Sequence, residues 1–155
     1  MTKSDVPGWL WPVADAFATQ GRNGLFLIAF PEYRPDLTKN LAHHLGLEYF
    51  DFRAEVMSRV GVDAPSIGLD ALERSLAAHA ETRGVAVMNA EALLATKPAT
   101  DRQAWLRSAT RLRFPHPVVV SLSLFGEEAD GADPRLIRIE AATLPEQPFL
   151  SRLVN

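Results

Sequence analysis

No cysteine occurs among the 155 residues. Disulfides, thiolate metal sites and cysteine nucleophiles are therefore excluded, and a cytoplasmic location fits. Lysine is scarce too: Lys3, Lys39 and Lys97 stand against thirteen arginines, which reads first as codon bias. No apolar run approaches the ~20 residues that span a bilayer. The opening MTKSDVPGWLWPVADAF lacks the unbroken apolar stretch and small-residue cleavage site of a signal peptide. No membrane partner is expected. Positive charge is in deficit, with a net charge of −3, so no global field draws the chain onto nucleic acid, although a local basic patch stays open. What is present is ordinary globular material. The chain is 47% hydrophobic and 23% charged, enough for one domain with a sizeable core.

Periodicity supplies the organisation. Val13, Ala16 and Phe17 recur at helical spacing over residues 12–20, with Trp9 and Trp11 just before them, a pair that reads first as a packing anchor and second as a partner-binding patch. Residues 25–30 form an unbroken apolar run, the pattern of a strand buried on both faces. Asp36 is expected to cap a helix reaching Leu45, with Leu37, Leu41 and Leu45 on one face. A second strand is expected over 48–52, a short helical piece over 53–60, a loop over 61–66 and a helix over 69–82. A third strand over 85–88 runs into a helix over 89–94. An arginine-bearing helix is expected over 101–113, a fourth strand over 117–125, a polar loop over 126–134 and a fifth strand over 136–139. A tail helix is expected from about residue 147. Strands separated by helices predict an α/β fold of three layers, with a mainly parallel five-stranded sheet covered on both faces. The expected division is an N-terminal helical extension (1–23), a core (24–140) and a C-terminal tail (141–155).

Glycine is missing where it would matter most. The loop after the first strand reads Pro31-Glu32-Tyr33-Arg34-Pro35-Asp36. Strand, loop, helix and strand over 25–52, followed by the strands at 85–88, 117–125 and 136–139, resemble the core of P-loop NTPases, in particular those related to AAA proteins. The resemblance spans roughly residues 24–140 and rests on element order and hydrophobicity. A working phosphate loop reads G-x-x-x-x-G-K-[ST], whose glycines let backbone N–H groups approach the phosphates. Here Phe30 aligns with the first glycine, Pro35 with the second and Asp36 with the lysine. Pro31 and Pro35 donate no N–H. Glu32 and Asp36 each add a repulsion of about 4 kcal/mol toward a phosphate at ~4 Å, against about 8 kcal/mol for a micromolar affinity. The Walker B position fails as well, since the strand ends in Asn89-Ala90 where Asp and Glu are needed for Mg²⁺ and water. Glu91 follows one residue later, facing another way.

The degenerate pocket would consist of Pro31, Glu32, Tyr33, Arg34, Asp36, Asn89 and Ser121. The resemblance implies no catalytic residue, no cofactor and no metal. A rescued anion site would need Arg34, Thr38 and Lys39 at the helix start. His43, His44, His79 and His116 have no metal-ligand spacing. Ser121 and Ser123 lack a nucleophile's setting. The acidic run Glu127, Glu128, Asp130 and Asp133 fits no calcium loop.

Three functional classes follow. The first is a non-catalytic accessory or scaffold subunit that binds a larger protein partner, with Trp9, Trp11, Tyr33 and Arg34 among the contact candidates. The stretch from Val85 to Leu94, with Arg102, Trp105, Leu106 and Phe114-Pro115-His116-Pro117, is similar to small P-loop-fold accessory proteins of BREX-type bacterial phage-defence clusters. That similarity implies a multi-protein DNA-modification or restriction assembly. The second class is a divergent nucleotide-binding ATPase subunit. The third is a nucleic-acid binder that uses the arginines on and after one helix, Arg102, Arg107, Arg111 and Arg113, of which Arg107 and Arg111 share a face.

Overall fold

The computed structural model describes residues 6–147. The apolar runs become five strands: β1 Gly24–Ala29, β2 Glu48–Asp51, β3 Val85–Met88, β4 Pro117–Leu122 and β5 Leu136–Arg138. They form one sheet in the order β2-β3-β4-β1-β5, and every pairing is parallel. Parallel neighbours need crossovers; helices supply those from β1 to β2, β2 to β3 and β3 to β4, and a 3-10 turn, Gly126–Glu128, lies between β4 and β5. The helices are α1 Trp11–Gln20, which precedes β1, then α2 Pro35–Leu45, the single turn α3 Ser58–Val60, α4 Leu69–Ala80, α5 Ala90–Leu94 and α6 Ala99–Ser108.

Alternation along each strand divides the core in two. Leu25, Leu27, Val118, Val120 and Leu122 face one side, where they pack with Leu72, Leu76, Leu93, Leu94, Trp105 and Leu106 of α4, α5 and α6. Phe26, Ile28, Ala86 and Val119 face the other, against α1 and α2. The three-layer α/β arrangement follows. Helix α1 joins this packing: Val13, Ala16 and Phe17 are buried, and the Phe17 and Phe26 rings lie 4.8 Å apart. No helix among the described residues is long and apolar enough to cross a membrane.

Several boundaries differ from expectation for identifiable reasons. Asp36 is not the cap of α2. Pro35 takes the first helical position, which suits its missing N–H, and the Arg34 carbonyl accepts the N–H of Leu37 at 3.1 Å. Gly46 ends α2 in the left-handed conformation (φ 70°), as a helix C-terminus favours. Residues 53–60 divide into a π-helical turn, Arg53–Met57, and α3, and the loop over 61–66 is a 3-10 turn. Helix α4 stops at Ala80. The helix expected to 113 ends at Ser108, and a 3-10 turn, Ala109–Arg111, follows. Arg107 and Arg111 therefore sit in different elements and share no α-helical face. Strand β4 stops at Leu122, because the next three backbone N–H groups leave the ladder for a side chain described below. The tail helix expected from about residue 147 lies beyond the described residues.

Candidate functional site

The connections leaving neighbouring strands β1 and β4 run in opposite directions. From β1 the chain passes through α2 to the far edge strand β2. From β4 it passes to β5, beyond β1. Parallel sheets hold ligands outside the carboxyl ends of strands at such a point. Here that crevice is built over by side chains from four loops.

The first is the loop after β1. Phe30 N–H still bonds to the Leu122 carbonyl at 2.8 Å, so the chain turns only at Pro31. Arg34 is only 2% exposed. Its Nε donates to Asp36 Oδ1 at 3.0 Å and its Nη2 to Asp36 Oδ2 at 2.9 Å. Nη1 donates to Glu32 Oε1 at 3.2 Å and to the Pro145 carbonyl at 2.9 Å. The paired, charge-assisted geometry is the strong one. The bond to Arg34 holds the Asp36 carboxyl below its ordinary value despite partial burial. Arg34 thus closes its own loop and ties Pro145 over it, with four of its five N–H groups engaged.

The second layer links three strand ends. Tyr33 Oη donates to Asn89 Oδ1 at 2.9 Å, and Asn89 Nδ2 donates to Asp51 Oδ1 at 3.0 Å. Asp51 Oδ1 also accepts the Ala54 N–H at 3.0 Å, which fixes the start of the π-helical turn. Asn89 is held at φ 64°, the one non-glycine residue with positive φ among those described. Asparagine tolerates this better than most residues. Beneath lies a buried hydroxyl pair, Thr38 Oγ1 and Ser121 Oγ, 2.9 Å apart. Thr38 therefore points at the sheet and is unavailable to an anion at the helix start. Lys39 lies over the Tyr49 ring at 5.3 Å. Burial first, then the Asp51 charge, push the Tyr49 phenol up to about 12.

The third element was missed from sequence. Glu91 turns inward and is 5% exposed. Its Oε1 accepts the Ser123 N–H at 2.6 Å, and its Oε2 accepts those of Leu124 at 2.9 Å and Phe125 at 2.7 Å. Three successive backbone N–H groups make a concave anion site, and this carboxylate fills it. The expectation that Glu91 faces elsewhere is corrected. The signal was an acidic residue in the first turn of a helix, and the position of its acceptors depends on tertiary structure.

At and just beyond the carboxyl ends of the strands, Glu32, Asp36, Asp51, Glu55 and Glu127, with Glu91 buried, stand against Arg53, Arg138 and the buried Arg34. Two exposed apolar side chains, Tyr33 at 46% and Leu124 at 69%, flank a cleft also lined by Arg53, Asn89, Ala92 and Ser123.

The remaining candidates scatter. Trp9 is 5% exposed and packs on Phe30 with ring centroids 6.1 Å apart, so it anchors the core and offers nothing to a partner. Trp11 is half-buried beside Phe17, Arg22 and Leu45. Arg102 is taken by Glu128 through Nε at 2.9 Å and Nη2 at 2.8 Å, and its guanidinium lies 4.3 Å from the Phe125 ring centre. Arg107 Nε reaches the Glu128 carbonyl at 3.5 Å. Among the described residues no group of three or more His, Asp or Glu could hold a metal ion. Comparisons with protein-family models, with curated proteins and with solved structures give no match.

Proposed function

We propose that this chain is a non-catalytic, P-loop-like accessory domain that docks on a larger protein through the carboxyl edge of its sheet. The observation that carries the reading is Arg34. The side chain nearest the expected phosphate position is buried against Glu32, Asp36 and the Pro145 carbonyl. A triphosphate there would have to displace both carboxylates and the 141–147 segment. Its charge would also meet Asp51, Glu55 and Glu91 in a setting where each close like-charge pair is worth several kcal/mol. The strand order supports the resemblance by putting the strand aligned with Walker B and the strand aligned with the phosphate loop on either side of β4.

Docking is favoured by the composition of this edge. Tyr33 and Leu124 expose apolar surface on a polar rim, the usual anatomy of a protein contact. Under the resemblance, the partner would be a subunit of a bacterial phage-defence assembly. Calorimetric titration of ATP and ADP with Mg²⁺ tests the reading. Absence of saturable heat and of thermal stabilisation at near-millimolar nucleotide is the expected result. Saturable binding that Arg34→Ala abolishes would overturn it and make the glycine-free loop a phosphate site of a different construction.

A further inference from the structure

Three hollows adjoin the loop after β1. The first, about 320 Å³, lies between the ends of β1, β4 and β5 and is walled by Phe30, Pro31, Leu124, Gly126, Arg138 and Ile139. The second shares Ser123 and Leu124 with it and reaches Tyr33 and Asn89. The third holds Glu32, Arg34, Leu144 and Gln147. The consecutive residues Pro31, Glu32 and Tyr33 thus border one hollow each. Leu124 stands between the first two with 69% of its surface exposed.

The chain itself arrives at this place after β5. Ile139 N–H bonds to the Ala29 carbonyl at 2.9 Å, and a 3-10 turn follows over Ala141–Thr143. Leu144 packs on the core, and the Pro145 carbonyl is held by Arg34 at 2.9 Å. Gln147, the last described residue, already borders the third hollow. The sequence continues Pro148-Phe149-Leu150-Ser151-Arg152-Leu153-Val154-Asn155. Phe149, Leu150, Leu153 and Val154 recur at the spacing of one helix face, and Arg152 is the one charged side chain. An extended chain covers about 3.3 Å per residue, so Phe149 and Leu150 reach about 13–17 Å from Pro145, several times the ~3.8 Å between neighbouring Cα atoms of the loop 31–33.

We propose that residues 148–155 fold back on this chain and cover the hollow at Leu124. Phe149 and Leu150 lie against Leu124, Pro31 and Ile139, and Arg152 turns toward Glu127 and Glu32. Both carboxylates have room for it. The Glu127 side chain is 93% exposed and that of Glu32 57%, and each gives one oxygen, Oε1, to an arginine at 3.2 Å, which leaves Oε2 for a second cation. An attached segment acts at about millimolar effective concentration, an advantage that neither a second copy nor a free protein has, so modest apolar contacts suffice. The contact is internal to the isolated chain and does not require the partner proposed above. A partner that uses Leu124 has to displace the segment first.

The test uses the full chain in solution. Because no cysteine is present, Ser151→Cys takes a single nitroxide spin label, and two-dimensional amide NMR reads its broadening of nearby signals. The amides of Tyr33, Leu124 and Gly126 should lose intensity, while those of Gly46 and Gly84, which precede β2 and β3 at the opposite edge, should keep it. Leu124→Asp and Phe149→Asp should each restore the lost intensity. Thermal unfolding checks that both fold, and Phe149→Asp, outside the described residues, serves alone if Leu124→Asp does not. Absence of selective broadening overturns the proposal and leaves the hollow to a separate protein. Persistence of the broadening in a folded variant overturns it as non-specific. Broadening of isotope-labelled, unmodified chain by added spin-labelled chain would assign the segment to a second copy and overturn it likewise.

Discussion

The Glu91 carboxylate accepts the backbone N–H of Phe125 at 2.7 Å, having already taken those of Ser123 and Leu124. One side chain from the turn after β3 thereby ends β4 and sets the course of the loop that follows. Leaving a buried donor unsatisfied costs about 1–3 kcal/mol. Glu91→Ala strands three such donors, although water can reach some of them once the side chain is gone. A loss of about 3 kcal/mol in chemical unfolding is expected. Glu91→Gln keeps one acceptor oxygen but presents an amide donor to the remaining N–H groups, so about 2 kcal/mol should be lost. A change below about 0.5 kcal/mol in both variants would show that the carboxylate does not hold the loop.

Arg34 and Asp36 give the protein an acid limb. The bond from Arg34 depresses the Asp36 pKa in the folded chain, while the unfolded residue titrates near ~4. The sign follows directly. The stabilisation is complete above the unfolded value and is lost as pH falls through the folded one. Unfolding free energy measured between pH 7 and pH 3 should fall more steeply in the native chain than in Asp36→Asn, the two curves converging in acid. Parallel curves would mean that the pair contributes nothing. Arg34→Ala should cost about 2–3 kcal/mol at neutral pH, less than the 3–5 kcal/mol of a fully buried pair, because Glu32 and Asp36 reach water.

Much of the fold was legible because it depends on local pattern. Short, largely apolar runs at 25–30, 85–88 and 117–122, flanked by breakers, read as strands buried on both faces, and helical spacing identified α1, α2 and α4. The mistakes fall where tertiary contacts overrule pattern. Nothing local says that Ser123, Leu124 and Phe125 give their N–H groups to Glu91, so β4 was read three residues too long. Thr110, buried against Asp133, belongs to a 3-10 turn, and the α-helix was therefore read too far. Trp9 is the packing anchor its neighbourhood predicts first, and its burial against Phe30 removes it from the partner contacts, the second reading. The site was half legible. The missing glycines and the charges at 32 and 36 were plain, whereas the inward turn of Arg34 and the Tyr33–Asn89–Asp51 chain join residues far apart in sequence.

Removing Tyr33 and Leu124 from the surface separates docking from folding. Leu124 is 69% exposed, and an exposed substitution such as Leu124→Ser should stay within about 0.5 kcal/mol of native stability. Tyr33→Phe should cost about 1 kcal/mol through the lost bond to Asn89. If the carboxyl edge docks a partner, a purified complex should weaken about tenfold or more in Leu124→Asp while the isolated domain keeps its melting temperature. A complex insensitive to that change would move the contact elsewhere.

Asn89 stands where the resemblance calls for a metal-binding aspartate, and Asn89→Asp is the sharpest single test of that alignment. Aspartate tolerates the left-handed backbone about as well as asparagine, so φ 64° is no obstacle. What changes is the donor. Asn89 Nδ2 gives its hydrogen to Asp51 Oδ1 at 3.0 Å, and a carboxylate there faces another carboxylate. One of the two must then hold a proton or move apart, which should cost about 2 kcal/mol at neutral pH. The raised pKa of such a pair makes the loss smallest in acid and largest as pH rises through it. Thermal unfolding of the variant at pH 5 and pH 8, with and without Mg²⁺ and ATP, reads both effects. The variant should be relatively more stable at pH 5 and indifferent to Mg²⁺ and nucleotide. Rescue by Mg²⁺ with ATP would mean that the crevice still admits a metal-bound phosphate, and the Arg34 closure would then be a gate rather than a plug.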